Sequence, residues 1–403
     1  MKHKEAERPC PICGNASVEV LHHQKFFLPD EHVLPSAYDV VWCPVCGFAY
    51  ADTPASQQVY DSYYAAFSKY EDNRTSTGGG GCEFDLRRLR ETAADIAAIV
   101  PDRRARIVDL GCANGGLLGG LKALGFSNLA GIDPSPVCVA NTAAEYGIPA
   151  RAGSLRQLPP DFGTFDLVIL SHVLEHVADL QSSADTLDSL LNDNGLLYVE
   201  VPDASRYDEF LLAPFQDFNT EHINHFGLSA LRNLFERRGF VLTASGQKDI
   251  ESSPGCPYPA VYGFFRKSVS GKAAAQKSLE VDAGFRAGMI HYIERSREKI
   301  AQIEEKLARW RDGSTPLIVW GTGQLTMKLL SETSLAAIPI AAFVDSNPIN
   351  QRKMLAGRPI LAPNEIKDHT APILIATMLH DKEISATIRG TLQLPNPIIT
   401  LRS

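Results

Sequence analysis

Two pairs of cysteines, Cys10-Pro11-Ile12-Cys13-Gly14 and Cys43-Pro44-Val45-Cys46-Gly47, are spaced for metal chemistry. Two residues between thiolates let a tight knuckle turn both sulfurs toward one ion, and two knuckles complete a four-sulfur tetrahedral shell. A shell filled by protein leaves no position for water, so zinc at Cys10, Cys13, Cys43 and Cys46 is expected to be structural, folding a segment too small to build its own core. The rival reading is a pair of redox sites, but a redox C-x-x-C normally opens a helix beside a strand, and neither pair does so in the sequence pattern. His22, His23 and His32 lie between the knuckles without matched partners and read as surface or packing residues. Cys82, Cys112, Cys138 and Cys256 lack such spacing and read as buried or incidental.

A second constellation begins at Asp109-Leu110-Gly111-Cys112-Ala113-Asn114-Gly115. Arg106-Ile107-Val108 runs into it as a short buried strand, and Leu117 to Leu124 follows as an amphipathic helix. Gly111 and Gly115 remove side chains where backbone must approach a ligand, and the helix behind them offers free amides to a carboxylate. Asn114 belongs to the same loop. Gly131-Ile132-Asp133 ends a second strand in an acid placed to accept from two ribose hydroxyls. The loop form D-x-G-x-x-x-G opens on an acid, which repels a pyrophosphate but suits a sulfonium and an amino group. S-adenosylmethionine is therefore expected rather than a nicotinamide dinucleotide. Gly153-Ser154-Leu155 would flank the adenine, and the strand Phe165–Leu170 delivers Ser171 and His172 to cofactor or substrate. With the strand Asn194–Pro202, the succession resembles a class I methyltransferase domain over residues 83–266.

The parts also resemble, in their order, the C-methyltransferases that act on nucleotide-linked deoxysugars: a four-cysteine segment, an S-adenosylmethionine domain and a second Rossmann-like domain. That family carries a Glu-His pair after the fifth strand, matched by Glu221-His222, and a histidine after the fourth, matched by His176. It also places a tyrosine ahead of the central domain. Phe67 to Asp72 does not clearly reproduce that element, which leaves Tyr64 and Tyr70 as candidates. The resemblance implies a keto sugar deprotonated beside its carbonyl. His222, made more basic by Glu221, would take the proton, and His176 or a tyrosine would donate to the enolate oxygen. The pattern Glu221-His222-x-x-His225 has no third metal ligand at matching spacing. O- or N-methylation of a nucleotide sugar is the main alternative, and a non-enzymatic zinc-ribbon adaptor on a methyltransferase-like scaffold is another.

The elements that position these residues read as an α/β protein: a zinc-binding segment over 1–70, a methyltransferase domain over 71–268, a connecting helix within 269–312 and a second Rossmann-like domain over 313–403. The connecting helix is expected from Gly271 to Arg311. In the last domain Gly321-Thr322-Gly323 lacks a third glycine, so support or docking of a nucleotide-linked substrate is expected there ahead of NAD. The 403 residues carry a net charge of −8, which argues against a general nucleic-acid partner. No apolar run spans a bilayer, and the charged start Met1-Lys2-His3-Lys4-Glu5 has no signal-peptide core, so a cytoplasmic protein with a small-molecule substrate is expected.

Overall fold

A computed structural model describes residues 2–29, 32–67, 81–159, 161–253, 255–268, 278–311 and 313–402. They form two compact units. The first comprises Met1–Leu21, Val40–Tyr207 and Glu221–Ala287, and the second His22–Asp39, Asp208–Thr220 and Gly288–Ser403. The mixed α/β class expected from the sequence is observed.

The strands up to residue 267 are β1 (Lys2–Glu5), β2 (Ser17–Lys25), β3 (Ala37–Trp42), β4 (Ala49–Asp52), β5 (Arg106–Leu110), β6 (Asn128–Asp133), β7 (Ala150–Ala152), β8 (Phe165–Ser171), β9 (Leu191–Pro202), β10 (Asn224–His225), β11 (Phe240–Ser253) and β12 (Cys256–Lys267). Seven of them make one sheet in the order β11-β12-β9-β8-β5-β6-β7. The pairs from β7 through β9 are parallel, whereas β12 runs antiparallel to β9 and β11 antiparallel to β12.

Side-chain alternation explains the layers. Val108, Leu110, Val168, Leu170, Leu197 and Val199 point into one core, and Ile107, Leu167, Ile169, Leu196 and Tyr198 into the other. A parallel sheet covered on both faces needs this near-continuous apolar run. Helices α2 (Glu83–Ile99) and α3 (Gly116–Ala123) cover the second face through Leu89, Ile96, Leu117 and Leu121. The strand order reverses beside β5, with β6 on one side and β8 on the other, so the carboxyl ends of β5 and β8 open a crevice.

Residues 1–21 and those from 40 onward in the N-terminal segment fall within the first unit. Cys10, Ile12, Cys43 and Cys46 belong to the same apolar cluster as Val168 and Leu170. A second sheet, β1-β2-β3-β4-β10, is completed by a late strand: Asn224 pairs with Tyr50 and His225 with Ala49. That two-residue pairing carries the chain next to His222 onto the cysteine-bearing segment.

In the second unit β13 (Leu317–Trp320), β14 (Ile340–Val344), β15 (Met354–Leu355), β16 (Arg358–Leu361), β17 (Ile373–Ile375) and β18 (Ile398–Thr400) make a sheet ordered β15-β16-β14-β13-β17-β18, parallel except for β15. This is the second Rossmann-like unit. Asp345 follows β14, and its Oδ2 accepts from the Thr322 amide at 3.0 Å and the Thr322 hydroxyl at 2.5 Å, which ties down the Gly321–Gly323 turn. The long helix is shorter than expected, running from Ala283 to Arg311. Asp282 caps it by accepting from the amides of Gly284 and Phe285. Residues 269–277 lie outside the described residues. Among those described, no helix is long and apolar enough to cross a membrane.

Candidate active site

The glycine loop leaves β5 at its carboxyl end. Gly111 and Gly115 have φ of 81° and 80°, the left-handed region that favours glycine. A Cβ on Gly111 would stand 2.6 Å from a methyl of Val173, and one on Gly115 2.6 Å from a methyl of Thr142. The side chain of Asp133 fixes the loop from β6, accepting from the Ala113 amide through Oδ2 and from the Ser135 amide through Oδ1, both at 2.9 Å. Asn114 is buried and accepts from the Asn141 amide group at 2.8 Å.

Asp109 is buried, and its Oδ1 has no hydrogen-bond partner among the described residues. Burial and the neighbouring Asp133 push its carboxyl up to about 7. A cationic ligand would relieve both effects, so the loop fits the amino and sulfonium groups of S-adenosylmethionine. Ser154 sits in a short bridge with Gln157, beside the buried Leu155.

At the end of the adjacent β8, Ser171 and His172 meet an acid inside β9. His172 takes a left-handed backbone, φ 56°, and its amide donates to the Glu200 carbonyl at 2.8 Å. Its ring lies between two carboxylates, Nδ1 3.3 Å from Glu175 and Nε2 3.5 Å from Glu200. Burial alone would lower the imidazole, but Glu175 and Glu200 together hold it at about 9. Glu200 is fully buried and accepts from Tyr198 at 2.6 Å, Lys248 at 2.7 Å and Ser171 at 3.3 Å. Burial would raise its carboxyl, yet His172 and Lys248 hold it well below the usual range.

Because the His172 value is raised from 6.5 to about 9, its contribution to stability is complete below pH 6.5 and lost as pH rises through about 9. Stability measured by denaturant unfolding is therefore expected to fall between those values. That fall should shrink in Glu200→Gln; an unchanged pH profile in the variant would show that the pair is not coupled.

The candidate catalytic histidines converge from two segments. A single 3-10 turn, Leu174–His176, follows β8 and presents His176. Its Nδ1 lies 2.8 Å from the Tyr64 hydroxyl and 3.0 Å from the Glu221 carbonyl oxygen. The His222 ring meets His176 edge to face, with centroids 4.9 Å apart. The Glu221 carboxylate accepts from Tyr63 at 3.4 Å. Tyr64 comes from α1 (Gln57–Phe67), whereas Tyr70 lies outside the described residues. His225 stands apart from this group: it is buried against Tyr207, and burial with the nearby Arg8 lowers it to about 3. The contact between Val173 and Gly111 joins this turn to the glycine loop.

The four N-terminal cysteines also converge. All four sulfurs lie within 4.8 Å of one another, and Cys10–Cys46 and Cys13–Cys43 are 3.5 Å apart. A zinc–sulfur bond of about 2.3 Å at tetrahedral angles separates sulfurs by about 3.8 Å, so the cluster fits that ion. Gly14 and Gly47 close the knuckles at φ 78° and 69°, donating to the carbonyls of Cys10 and Cys43. Neither pair opens a helix, as expected for a metal knuckle. His22 is a packing residue, stacked on Phe215 at 4.3 Å.

Two groups were missed in the sequence. Glu200 was visible as an acid within the apolar strand Leu196–Pro202. Arg8 gave no signal, yet its guanidinium donates to the carbonyls of Ala51, Val177, Ala178 and Ile223 and to Asn224 Oδ1. It thereby joins the first knuckle to the segments bearing His176 and His222, at a cost that shows as a side chain lowered to about 10 by burial.

Comparison with known proteins places residues 83–245 in a family described as a methyltransferase domain. Curated relatives include ubiquinone biosynthesis O-methyltransferases of Azorhizobium caulinodans, 31% identical over 116 residues, and of Rhizobium rhizogenes, 37% identical over 99 residues. Those alignments cover 28% and 23% of this chain, and 46% and 40% of the relatives, so the chain spans less than half their length. Similar solved structures include the magnesium protoporphyrin IX methyltransferase of Synechocystis PCC 6803 with bound SAH, at 16% identity and a TM-score of 0.41, covering 53% of this chain and 99% of that one. An S-adenosylmethionine-dependent methyltransferase of Mesorhizobium loti matches at 19% identity and a TM-score of 0.37, covering 45% and 100%. The family match and the strand order agree: residues 83–245 match a methyltransferase domain, and their strands β5 to β9 follow the order of the class I S-adenosylmethionine-dependent fold.

Proposed function

We propose that the protein is an S-adenosylmethionine-dependent methyltransferase that forms a carbon–methyl bond on a nucleotide-linked keto-deoxysugar. The observation that carries this reading is the convergence of Tyr64, His176 and His222 on a turn that touches the cofactor loop through Val173. Asp109, Gly111, Asn114, Gly115 and Asp133 would hold the cofactor, with Ser154 and Leu155 at its adenine and Ser171 and His172 at its reacting end. The bound cofactor supplies an electrophilic methyl group. His222 takes the proton from the carbon beside the sugar carbonyl, with Glu221 beside it in the chain. Tyr64 or a protonated His176 donates to the enolate oxygen as charge develops there. The residues holding the cofactor would set its methyl group against the sugar carbon, for which it would serve as the electrophile. One zinc ion on Cys10, Cys13, Cys43 and Cys46 completes the N-terminal segment, and the division into residues 1–70, 71–268, 269–312 and 313–403 describes its working parts.

A labelled methyl donor with a panel of nucleotide-linked keto and hydroxy sugars tests this reading, the product being examined for a new carbon–methyl bond. The O-methyltransferases among the relatives favour a second reading, in which the same base deprotonates a hydroxyl. An oxygen-linked product would select it.

For the cofactor, Asp133→Ala removes a charge-assisted acceptor and the anchor of the Ala113 amide. Loss of such a bond costs about 1.5 to 3 kcal/mol, so donor affinity by calorimetry is expected to weaken roughly tenfold to more than a hundredfold. Unchanged affinity would remove Asp133 from the site.

A further inference from the structure

We propose that Glu175, His176 and His222 form a second metal site, open and reversible, that takes a divalent cation of the zinc class. Each residue offers a donor atom, and these atoms lie within 4.8 Å of one another. Two features beyond proximity point to a cation.

The first is the tautomer of His176. Its Nδ1 faces the Glu221 carbonyl oxygen at 3.0 Å, and a carbonyl can only accept. The Tyr64 hydroxyl, 2.8 Å from the same Nδ1, can accept as well as donate, so it allows the arrangement of metal-binding histidines in which Nδ1 donates to a backbone carbonyl and Nε2 is the ligating atom. His176 Nε2 lies 3.8 Å from Glu175 Oε1.

The second is Glu175 itself. It is 1% exposed, and its Oε2 has no hydrogen-bond partner among the described residues, while Oε1 is engaged by His172 at 3.3 Å. A buried carboxylate oxygen without a donor is costly, and a cation would satisfy it.

Two imidazoles and one carboxylate are the donor set of open zinc sites, which keep a position for another ligand. Bonds of about 2.0 to 2.2 Å bring such donors to about 3.3 Å from one another, a closure within reach of side-chain rotation. The site differs in kind from the four-cysteine shell, which is closed and sulfur-only. The filled site ties up His222. On the proposed reaction, and resting on that reading, bound cation then blocks proton abstraction.

The test uses full-length protein with its cysteine site loaded, titrated with Co2+ as a spectroscopic probe. One further equivalent is expected, with ligand-field bands and no thiolate-to-cobalt charge transfer, displaced by Zn2+. Glu175→Gln and His176→Ala should each weaken this binding at least tenfold, with thermal unfolding confirming that both variants fold. A wild-type stoichiometry that stays at one metal, or undiminished binding in the folded variants, overturns the site. Micromolar Zn2+ should also inhibit methyl transfer, reversed by a chelator too weak to strip the cysteines. Binding without inhibition upholds the site and refutes His222 as the base.

Discussion

Replacing His222 by alanine is expected to lower turnover by about 10² to 10⁴, the usual loss when a general base is removed, while donor affinity stays nearly intact. The separation of the two effects follows from position. His222 meets His176 rather than the glycine loop, whose anchors are Asp133 and Thr142. The variant should also slow exchange of the sugar's α-hydrogen with deuterated water, a partial reaction that oxygen methylation has no reason to include. Near-normal turnover in the variant would transfer the base to His176 or to the tyrosine stretch that bears Tyr64. A wild-type enzyme with neither exchange nor a carbon-linked product would eliminate the carbon acceptor.

Removal of zinc is expected to have the largest effect on stability. Structural zinc contributes about 10 to 16 kcal/mol in finger peptides, against a total stability of about 5 to 15 kcal/mol for a typical domain. Here Cys10, Cys43 and Cys46 share an apolar cluster with Val168 and Leu170, so the damage should reach the central sheet. Purified protein should hold about one tightly bound equivalent, and Cys43→Ala should lose it together with amide protection in β3 and β4, read by hydrogen exchange. Full metal content in Cys43→Ala would rule out the four-sulfur site.

What was legible in the sequence was local. The Asp109–Gly115 loop lies between a five-residue strand and a helix, so spacing alone revealed it. The cysteine knuckles are likewise four-residue events. What stayed hidden depends on pairing between distant segments. Asn224-His225 is too short to read as a strand, and its pairing with Ala49 and Tyr50, with the Ile223 amide donating to the Glu175 carbonyl, holds the segment next to His222 against the turn that bears His176. The Glu200 network joins β9 to Lys248 on β11 and to His172, and no periodicity encodes that meeting. The long helix was overextended toward Gly271 because its polar, alanine-rich flank matches helix propensity, whereas the Asp282 cap sets the start.

The Arg8 clamp bears on how far this protein is modular. Its guanidinium reaches residues 169 to 216 positions away in the chain. Those partners lie within or beside the very segment that sequence comparison delimits as 83–245. A fragment cut to that segment would keep the five parallel strands β5 to β9, lose β12 and most of β11, and also lose the donor that gathers Val177, Ala178, Ile223 and Asn224 into one geometry. The smallest transplantable unit is therefore larger than the smallest recognisable fold. A chimera that borrows this domain must carry the segment bearing Arg8 with it.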